Sequence, residues 1–155
     1  MHRSRHLPVA IHILLCVDAF QGKKPVTSRV LAASTGVHPV DIRRLMSQLA
    51  KAGLLTGGQG RLGNHLNRPL SRISLYDVYQ AVEPEPEKSL FPVHTRSSQE
   101  CPVGRHIQQA LQEPFYQVEQ AMKASMDELM LDRIQKEIGL LERANPSFFP
   151  LTTDF

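Results

Sequence analysis

The thiol of Cys101 is the residue best suited to covalent chemistry in this sequence of 155 residues. His94, Arg105 and His106 are close to it along the chain, and Pro102 follows it directly. A helix start and a nearby arginine both favour the thiolate, the form of cysteine that reacts with oxidants and binds metals. The pattern predicts either a redox-sensing thiol or a structural cysteine buried where a loop meets a helix.

A thiol enzyme that uses Cys101 with a neighbouring histidine is a second interpretation. Nucleophilic catalysis needs an orienting third group and an oxyanion-stabilising element, and neither is recognisable near Cys101. His2 and His6 form only one pair at helical spacing, and a metal site needs more ligands. We therefore predict no metal ligands, and we expect Cys16 to be an unreactive core residue and His12 to be a helix residue with a hydrogen-bond partner.

A second chemical feature is a set of cations on one side of a helix predicted from Pro39 to about Ala52. At about 100° per residue, one face is apolar and must pack inward. This face consists of Ile42, Leu45, Met46 and Leu49. The opposite face carries Val40, Arg43, Arg44, Ser47 and Lys51. A helix that reads DNA needs this division, since its first side chains reach base edges and its cations pair with phosphates. A solvated surface helix has the same pattern, so the neighbouring elements must decide.

The segment before this helix fits a helix-turn-helix arrangement. Thr27 is placed to cap a short helix from about Ser28 to Ser34, because its hydroxyl can accept an orphan backbone N–H. Gly36 lies in the following turn, and Pro39 suits the first position of the next helix. Two helices joined by a short turn that contains glycine are typical of helix-turn-helix proteins. The candidate DNA contacts on these elements are Thr27, Ser28, His38, Pro39, Val40, Asp41, Arg43, Arg44, Ser47 and Lys51.

The distribution of charge favours a polyanionic partner. Residues 1–72 hold eleven Lys and Arg and two acids, a net charge of +9, whereas residues 73–155 have a net charge of −6. A basic half of this kind is typical of proteins that bind nucleic acid. The alternative is a helical interaction module whose basic half binds an acidic protein. If the affinity for random DNA falls steeply as the salt concentration rises, the partner is a nucleic acid rather than an acidic protein.

Composition indicates one modest domain with a real core, since 41% of the residues are apolar. No apolar run approaches the roughly 18–20 residues that span a bilayer. Basic residues precede the first apolar stretch, but His12 and Asp18 interrupt that stretch, which predicts an amphipathic first helix rather than a signal peptide. Two cysteines do not make a disulfide framework. We expect a cytoplasmic protein without a membrane partner.

A glycine-rich stretch, "TGGQGRLGNHLNR", follows the candidate recognition helix. Glycines that supply positive φ between two short strands predict a β-hairpin, which would be the wing of a winged helix-turn-helix domain. Arg61 at its tip is predicted to enter a minor groove or to bind phosphate. A phosphate-binding P-loop is the alternative, but no Gly-Lys-Ser/Thr follows the glycines.

The C-terminal half predicts helices that pair two copies of the chain. Ser74 and Asp77 resemble a capping box at a helix start. After a loop rich in Pro, Ser and acids, a long helical stretch runs from Gly104 to about Leu141, with Pro114 as a point of kink or restart. A small domain alone cannot bury an apolar stripe of that length, which predicts a homodimer. The dimerisation residues are predicted to be Ile107, Leu111, Val118 and Met122.

These elements predict a mainly α fold with a small β-hairpin: a winged helix-turn-helix domain followed by a long C-terminal dimerisation helix. The predicted divisions are a DNA-binding domain at residues 1–83, a loop or sensor region at 84–104, dimerisation helices at 105–143 and a tail at 144–155.

Four segments resemble the Rrf2 family of winged helix-turn-helix transcription regulators, in the family's order and over about residues 7–112. They are "VAIHILL", "VHPVDIRRLMSQLAKAGLL", "ISLYDVYQAVE" and "LFPVHTRSSQECPVGRHIQQAL". The resemblance implies a homodimer, crossed through its long C-terminal helices, that binds operator DNA. It matches the recognition helix to residues 38–52 and the wing to residues 56–68, where Arg61 and Leu62 break the family's usual glycine run. We expect a repressor on a palindromic operator.

Many members of this family hold an iron–sulfur cluster on three cysteines in the loop before the long helix. The corresponding loop here has only Cys101, and a cluster needs about four ligands, usually thiolates. Cys101 with His94 and His106 would be an unusual set, so the chain resembles the cluster-free branch and we predict no cofactor. The predicted signal is then oxidation of Cys101, or a small ligand bound between the winged domain and the long helix.

Overall fold

The computed structural model describes residues 5–57, 63–83 and 90–145. Three helices come first: α1 (His6–Phe20), α2 (Ser28–Thr35) and α3 (Pro39–Lys51). An antiparallel pair of short strands follows, β1 (Leu55–Thr56) and β2 (His65–Leu66). A short 3-10 helix (Leu70–Arg72) leads to α4 (Leu75–Val82), α5 (Pro102–Glu128) and α6 (Leu131–Ala144). The predicted fold class, mainly helical with one small hairpin in a winged helix-turn-helix arrangement, is confirmed.

The ends of α2 and α3 are set by the residues that the sequence singles out. The hydroxyl of Thr27 accepts a backbone N–H in the first turn of α2, and Gly36 ends that helix with a φ of +68°. Pro39 occupies the start of α3, where the ring of His38 accepts a backbone N–H. Gly53 follows the end of α3 with a φ of +72°. Local chemistry therefore fixes the turn that presents α3.

Helix α1 lies at the centre of the core and contacts α2, α3, α4, β2 and α6. Its buried residues are Ala10, Ile13, Leu14, Leu15 and Val17. They pack with apolar residues from the other elements, namely Val26, Leu31, Ile42, Leu45, Leu49, Leu54, Leu55, Leu70, Ile73, Val78, Val82 and Leu131. Full burial of a Leu, Ile or Val side chain contributes about 1.5–3 kcal/mol. This core holds the outward face of α3 in a fixed position.

The sequence predicts that Pro114 either kinks or restarts helix α5. The helix is continuous through this residue, so Pro114 does not restart it. A proline inside a helix removes one hydrogen bond to the carbonyl four residues earlier, which here belongs to Ala110. Ala110 is exposed, so solvent can hydrate that carbonyl.

The break in the C-terminal helices falls instead at Leu129 and Met130, which are extended. The carbonyl of Leu129 accepts the N–H of Leu75 at 2.8 Å, and the N–H of Leu131 donates to the carbonyl of Ile73 at 2.9 Å. Leu131 is fully buried in the core. The predicted helical stretch to Leu141 is therefore interrupted at this point and not at Pro114: α6 starts within the winged domain, because Leu131 must turn back to reach the core.

None of the helices in residues 5–57, 63–83 and 90–145 is both long enough and apolar enough to span a lipid bilayer. The predicted domain boundaries remain predictions. The start of α6 nevertheless packs against the 3-10 helix and α1 of the winged domain, whereas the rest of residues 105–143 is mostly exposed.

Candidate nucleic-acid interface

The exposed side of α3 presents the side chains that the sequence predicts for DNA contact. Val40, Arg44, Ser47 and Lys51 lie within about 60° of one another on the helix, and all four are exposed. Val40 is an apolar side chain on this polar face and is 54% exposed. The opposite side of α3 is buried through Ile42, Leu45 and Leu49, with Met46 half-buried. Helix α3 thus has one solvent-exposed face that can insert into a groove of DNA.

The cations on this face are available to bind an anion. Among the described residues, no acidic side chain forms a salt bridge with Arg43, Arg44 or Lys51. Asp41 is exposed in the first turn of α3, where a carboxylate stabilises the helix dipole. Three unpaired cations on one helix make a surface that attracts phosphates.

A hollow of about 540 Å³ lies between the start of α2, the side of α3 and the base of the wing. It is lined by Pro25, Val26, Thr27, Ser28, Arg43, Met46, Gly63 and Asn64. The structure therefore brings together three predicted contacts from two helices: Thr27, Ser28 and Arg43. Arg43 points to this hollow at the edge of the α3 face. The predicted contact Arg61 lies outside the described residues.

The base of the wing is anchored by residues whose role the sequence analysis missed. Asn64 donates from Nδ2 to the carbonyl oxygen of Val26 at 2.6 Å. The side-chain oxygen Oε1 of Gln21 accepts the N–H of Leu66 at 3.3 Å. Gly63 has a φ of +60° and passes close to the backbone of Pro25 and Val26. No periodicity or motif in the sequence marks Asn64 or Gln21 as an anchor of the wing.

His38 and Pro39 have structural roles at the start of α3. The Nδ1 atom of His38 accepts the N–H of Val40 at 3.3 Å, so the ring caps the helix. Pro39 is half-buried at the first helical position. Both were predicted as DNA contacts, and both lie at the end of α3 that carries the exposed Val40. The cap fixes the direction in which α3 leaves the turn.

The loop before α5 lies along that helix and ends at Cys101. The N–H of Leu90 donates to Glu119 at 2.8 Å, and the ring of Phe91 lies 5.2 Å from the ring of Phe115. Cys101 is exposed and occupies the N-cap position of α5. Within one chain this thiol is therefore open to solvent rather than buried at the junction.

Arg105 and His94, two of the residues predicted to lie near Cys101, take part in hydrogen bonds that hold the loop, Arg105 through its side chain and His94 through its backbone. The Nε atom of Arg105 donates to the carbonyl oxygen of Gln99 at 3.0 Å, and Gln108 donates to the carbonyl oxygen of His94 at 3.0 Å. No group of three or more His, Cys, Asp or Glu side chains that could hold a metal occurs among the described residues. One thiol in this loop does not provide the roughly four ligands of an iron–sulfur cluster, so these residues do not fit that group.

The second cysteine, Cys16, is half-buried on α1. Its sulfur lies 3.7 Å from the hydroxyl oxygen of Ser34, which also hydrogen-bonds Nε2 of His12 at 3.0 Å. Burial raises the pKa of the Cys16 thiol, against smaller opposing effects of Ser34 and Lys24. Cys16 and His12 also line a groove of about 370 Å³ between α1 and α6.

Comparison with known proteins supports a regulator. A model of the Rrf2 family, described as an iron-dependent transcriptional regulator, matches residues 3–137. The chain is similar to YwnA of Bacillus subtilis (strain 168), a candidate HTH-type transcriptional regulator, at 40% identity over 120 residues, or 77% of this chain and 86% of YwnA. It resembles the crystal structure of a candidate DNA-binding protein at 35% identity and a TM-score of 0.63, over 83% of this chain and 97% of that one.

A candidate transcriptional regulator from Lactobacillus plantarum has a similar structure, with 27% identity and a TM-score of 0.69 over 92% of this chain and 98% of that one. The family match spans the winged domain, the loop and most of the C-terminal helices. The interpretations as a thiol enzyme and as a helical interaction module give way to this match. The chain belongs to the Rrf2 family of DNA-binding transcriptional regulators, and it is not an enzyme.

Proposed function

We propose that this regulator acts as a homodimer that represses transcription by binding a palindromic operator. The observation that carries the DNA contact is the face of α3, where exposed Val40, Arg44, Ser47 and Lys51 lie beside the hollow of Thr27 and Arg43. Since its proposed partner is operator DNA, we propose that it works in the bacterial cytoplasm.

The side chains on the exposed face of α3 are proposed to have two different roles in DNA binding. Val40 and Arg44 are proposed to read bases, because an apolar side chain suits a thymine methyl group and an arginine suits guanine in the major groove. Lys51, near the C-terminal end of α3, is proposed to bind phosphate. In the hollow, Arg43 and the start of α2 suit a second phosphate, which would set the position of the domain on the duplex.

The exposure of α5 supports the homodimer. The helix has 27 residues and is about 40 Å long, yet none of its residues is buried. Val103, Ile107, Leu111, Val118 and Met122 share a face about 100° wide. Val103 is 68% exposed and Val118 is 53% exposed. Burial of this stripe against a second copy would remove its apolar surface from water.

Light scattering tests the homodimer. The protein at micromolar concentration is expected to have about twice the mass of one chain, which is 17.4 kDa. Val118→Glu places a charge in the stripe and is expected to give a monomer. Tyr116→Glu is the matched control, because Tyr116 is also exposed but lies on the other side of α5. Dissociation of the Tyr116 variant alone would contradict the proposed interface.

Selection of bound sequences from random DNA tests the operator. A two-fold dimer is expected to select an inverted repeat whose half-sites lie one helical turn apart, about 34 Å. Selection of a single unrepeated site would contradict the proposal. Transcription in vitro from a promoter that overlaps the selected site is expected to decrease when the protein is added. An increase would show an activator instead.

We propose that the regulatory signal is oxidation of Cys101. Hydrogen peroxide would oxidise the thiol to a sulfenic acid and would itself be reduced to water. The added polar group would lie at the N-cap of α5, where the loop meets the proposed dimer helix. A change there would alter the separation of the two α3 helices. Coupling between two such sites is typically about 1–3 kcal/mol, or roughly 5- to 150-fold in affinity.

Operator affinity before and after mild peroxide treatment tests the signal. Cys101→Ser is expected to abolish the response and to keep the affinity of the reduced protein, whereas Cys16→Ser is expected to retain the response. A response that persists in Cys101→Ser would refute the thiol proposal. A small apolar ligand in the groove between α1 and α6 would then be the better candidate, since that groove joins the winged domain to the C-terminal helices.

We also propose that DNA binding needs no cofactor. The single thiol of the loop supports this proposal, since cluster-binding members use three. Protein purified with an iron chelator is expected to bind the operator as tightly as protein purified with added iron. A higher affinity that depends on iron, with a matching absorbance in the visible range, would refute it.

A further inference from the structure

The end of the wing is connected to α4 by an ion pair. Arg68 comes two residues after β2, and its Nη2 atom lies 2.8 Å from Oδ2 of Asp77. Both side chains are partly exposed, at 40% and 32%. An exposed pair of this kind adds little to the free energy of folding. Its main consequence is geometric, because it fixes the chain at the base of the wing.

The same carboxylate belongs to the capping box of α4. Oδ2 of Asp77 accepts the N–H of Ser74 at 2.9 Å, and the hydroxyl oxygen of Ser74 accepts the N–H of Asp77 at 3.0 Å. Ser74 is only 2% exposed. Its hydroxyl has one hydrogen, which it donates to Oδ1 of Asp127 at 3.0 Å. Asp127 lies in the last turn of α5.

The backbone next to this serine is bonded to the turn between α5 and α6. Leu75 donates to the carbonyl of Leu129, and Leu131 donates to the carbonyl of Ile73, at 2.8 and 2.9 Å. The end of α5 is thus held to the same few residues that hold Arg68. A shift of α5 would have to break these contacts or carry Ser74 and Asp77 with it.

We propose that Asp77 is a positioning residue for the wing, and that the chain of contacts Asp127–Ser74–Asp77–Arg68 transmits the orientation of α5 to it. This inference rests on the proposed role of the wing in DNA binding. When Asp127 moves away, the buried Ser74 hydroxyl loses its hydrogen-bond acceptor, and the Ser74 side chain rotates toward another acceptor. The capping box then loosens, and the Asp77 carboxylate no longer fixes Arg68.

Amide hydrogen exchange in the DNA-free protein tests the transmission. The N–H of Asn67 donates to the carbonyl oxygen of Leu54 across the base of the wing, so its exchange rate reports on wing order. Asp127→Ala is expected to raise this rate several-fold relative to core amides of α1. Asp127→Asn keeps an oxygen acceptor for Ser74 and is expected to restore the parental rate. Glu128→Ala removes a neighbouring acid of the same turn and is expected to have no effect.

Equal exchange of Asn67 in the parent and in Asp127→Ala would overturn the inference. So would an increase that the α1 amides share, because that result indicates general destabilisation rather than a path to the wing.

Operator affinity gives a separate test. Asp127→Ala and Arg68→Ala are expected to be non-additive by about three- to tenfold, since they interrupt one chain of contacts. If each variant weakens operator binding and the two effects are additive, the transmission is also overturned. If Asn67 exchange changes but neither variant alters operator affinity, the proposed role of the wing in DNA binding is wrong, while the contact between α5 and the wing stands.

Discussion

Replacement of Gly63 by alanine tests whether the wing is seated on the loop between α1 and α2. Gly63 has a φ of +60°, and an L residue in that region costs roughly 1–2 kcal/mol. A Cβ atom there would also lie 3.3 Å from Cα of Pro25 and from the backbone nitrogen of Val26. That separation is tighter than ordinary van der Waals contact, so the wing or the loop must move by a few tenths of an ångström.

Gly22→Ala separates the two contributions. Gly22 has a φ of +75°, but nothing lies within 4 Å of the position that a Cβ atom would take, so alanine meets only the conformational cost there. Overpacking typically costs a further 1–3 kcal/mol or so. We expect the free energy of unfolding to fall by about 1 kcal/mol in Gly22→Ala and by about 2–3 kcal/mol in Gly63→Ala. For a chain of this size, each kcal/mol lowers the Tm by about 2–4 °C.

Urea unfolding and operator titration measure the two effects on the same preparations. Movement of Gly63 also displaces Asn64, whose bond to the carbonyl of Val26 is 2.6 Å long. A neutral hydrogen bond contributes about 0.5–1.5 kcal/mol, so loss of wing position is expected to weaken operator binding up to about tenfold. Gly22→Ala is expected to bind like the parent. Equal losses of stability and equal affinities in both variants would refute the close packing of the wing on this loop.

Three further predictions concern α3, Cys16 and the loop before α5. Arg44→Ala is expected to reduce the free energy of operator binding by about 1–3 kcal/mol and to relax the base preference. Lys51→Ala is expected to weaken binding to all DNA sequences alike and to lower the slope of log affinity against log salt concentration by about 1. Identical salt slopes in the two variants would contradict this division. Burial raises the pKa of Cys16 above 9.0, so the unfolded chain loses this proton at lower pH than the folded chain. The free energy of unfolding is therefore expected to fall as the pH rises above 9.0, and less so in Cys16→Ser; equal slopes would show that burial of this thiol is unimportant. A Cβ atom on Gly104 would meet the carbonyl oxygen of Ser98, so Gly104→Ala is expected to displace the loop before α5 and to speed its cleavage by trypsin. Gly139 has open space around it, so Gly139→Ala is expected to leave the cleavage rate unchanged.

The elements that the sequence predicted well depend on contacts between near neighbours. Thr27 caps a backbone group three residues away, and the capping box of Ser74 and Asp77 spans the same distance. Gly36 and Pro39 act through their own backbone preferences. Because these effects are local, residue type and spacing were sufficient to place α2, α3 and α4. The exposed face of α3 followed directly from that placement.

The features that the sequence did not predict depend on residues far apart along the chain. Asn64 and Val26 are separated by 38 positions, and Ser74 and Asp127 by 53. Each pair forms only because the tertiary structure brings the loop after α1 to the wing, and the end of α5 to the start of α4. Neither side chain in such a pair carries a periodic signal, so their contacts could be read only from the structure.

The position of the helix break has the same physical origin and affects the proposed dimer. Leu129, Met130 and Leu131 contain no helix breaker, yet burial of Leu131 and its backbone bond to Ile73 end α5 there. The first turn of α6 therefore packs within one chain. Farther along α6, Leu140 and Leu141 are 58% and 60% exposed. Within the C-terminal helices, exposed apolar side chains therefore remain on α5 and at the far end of α6, and these are the surfaces available to the proposed second copy.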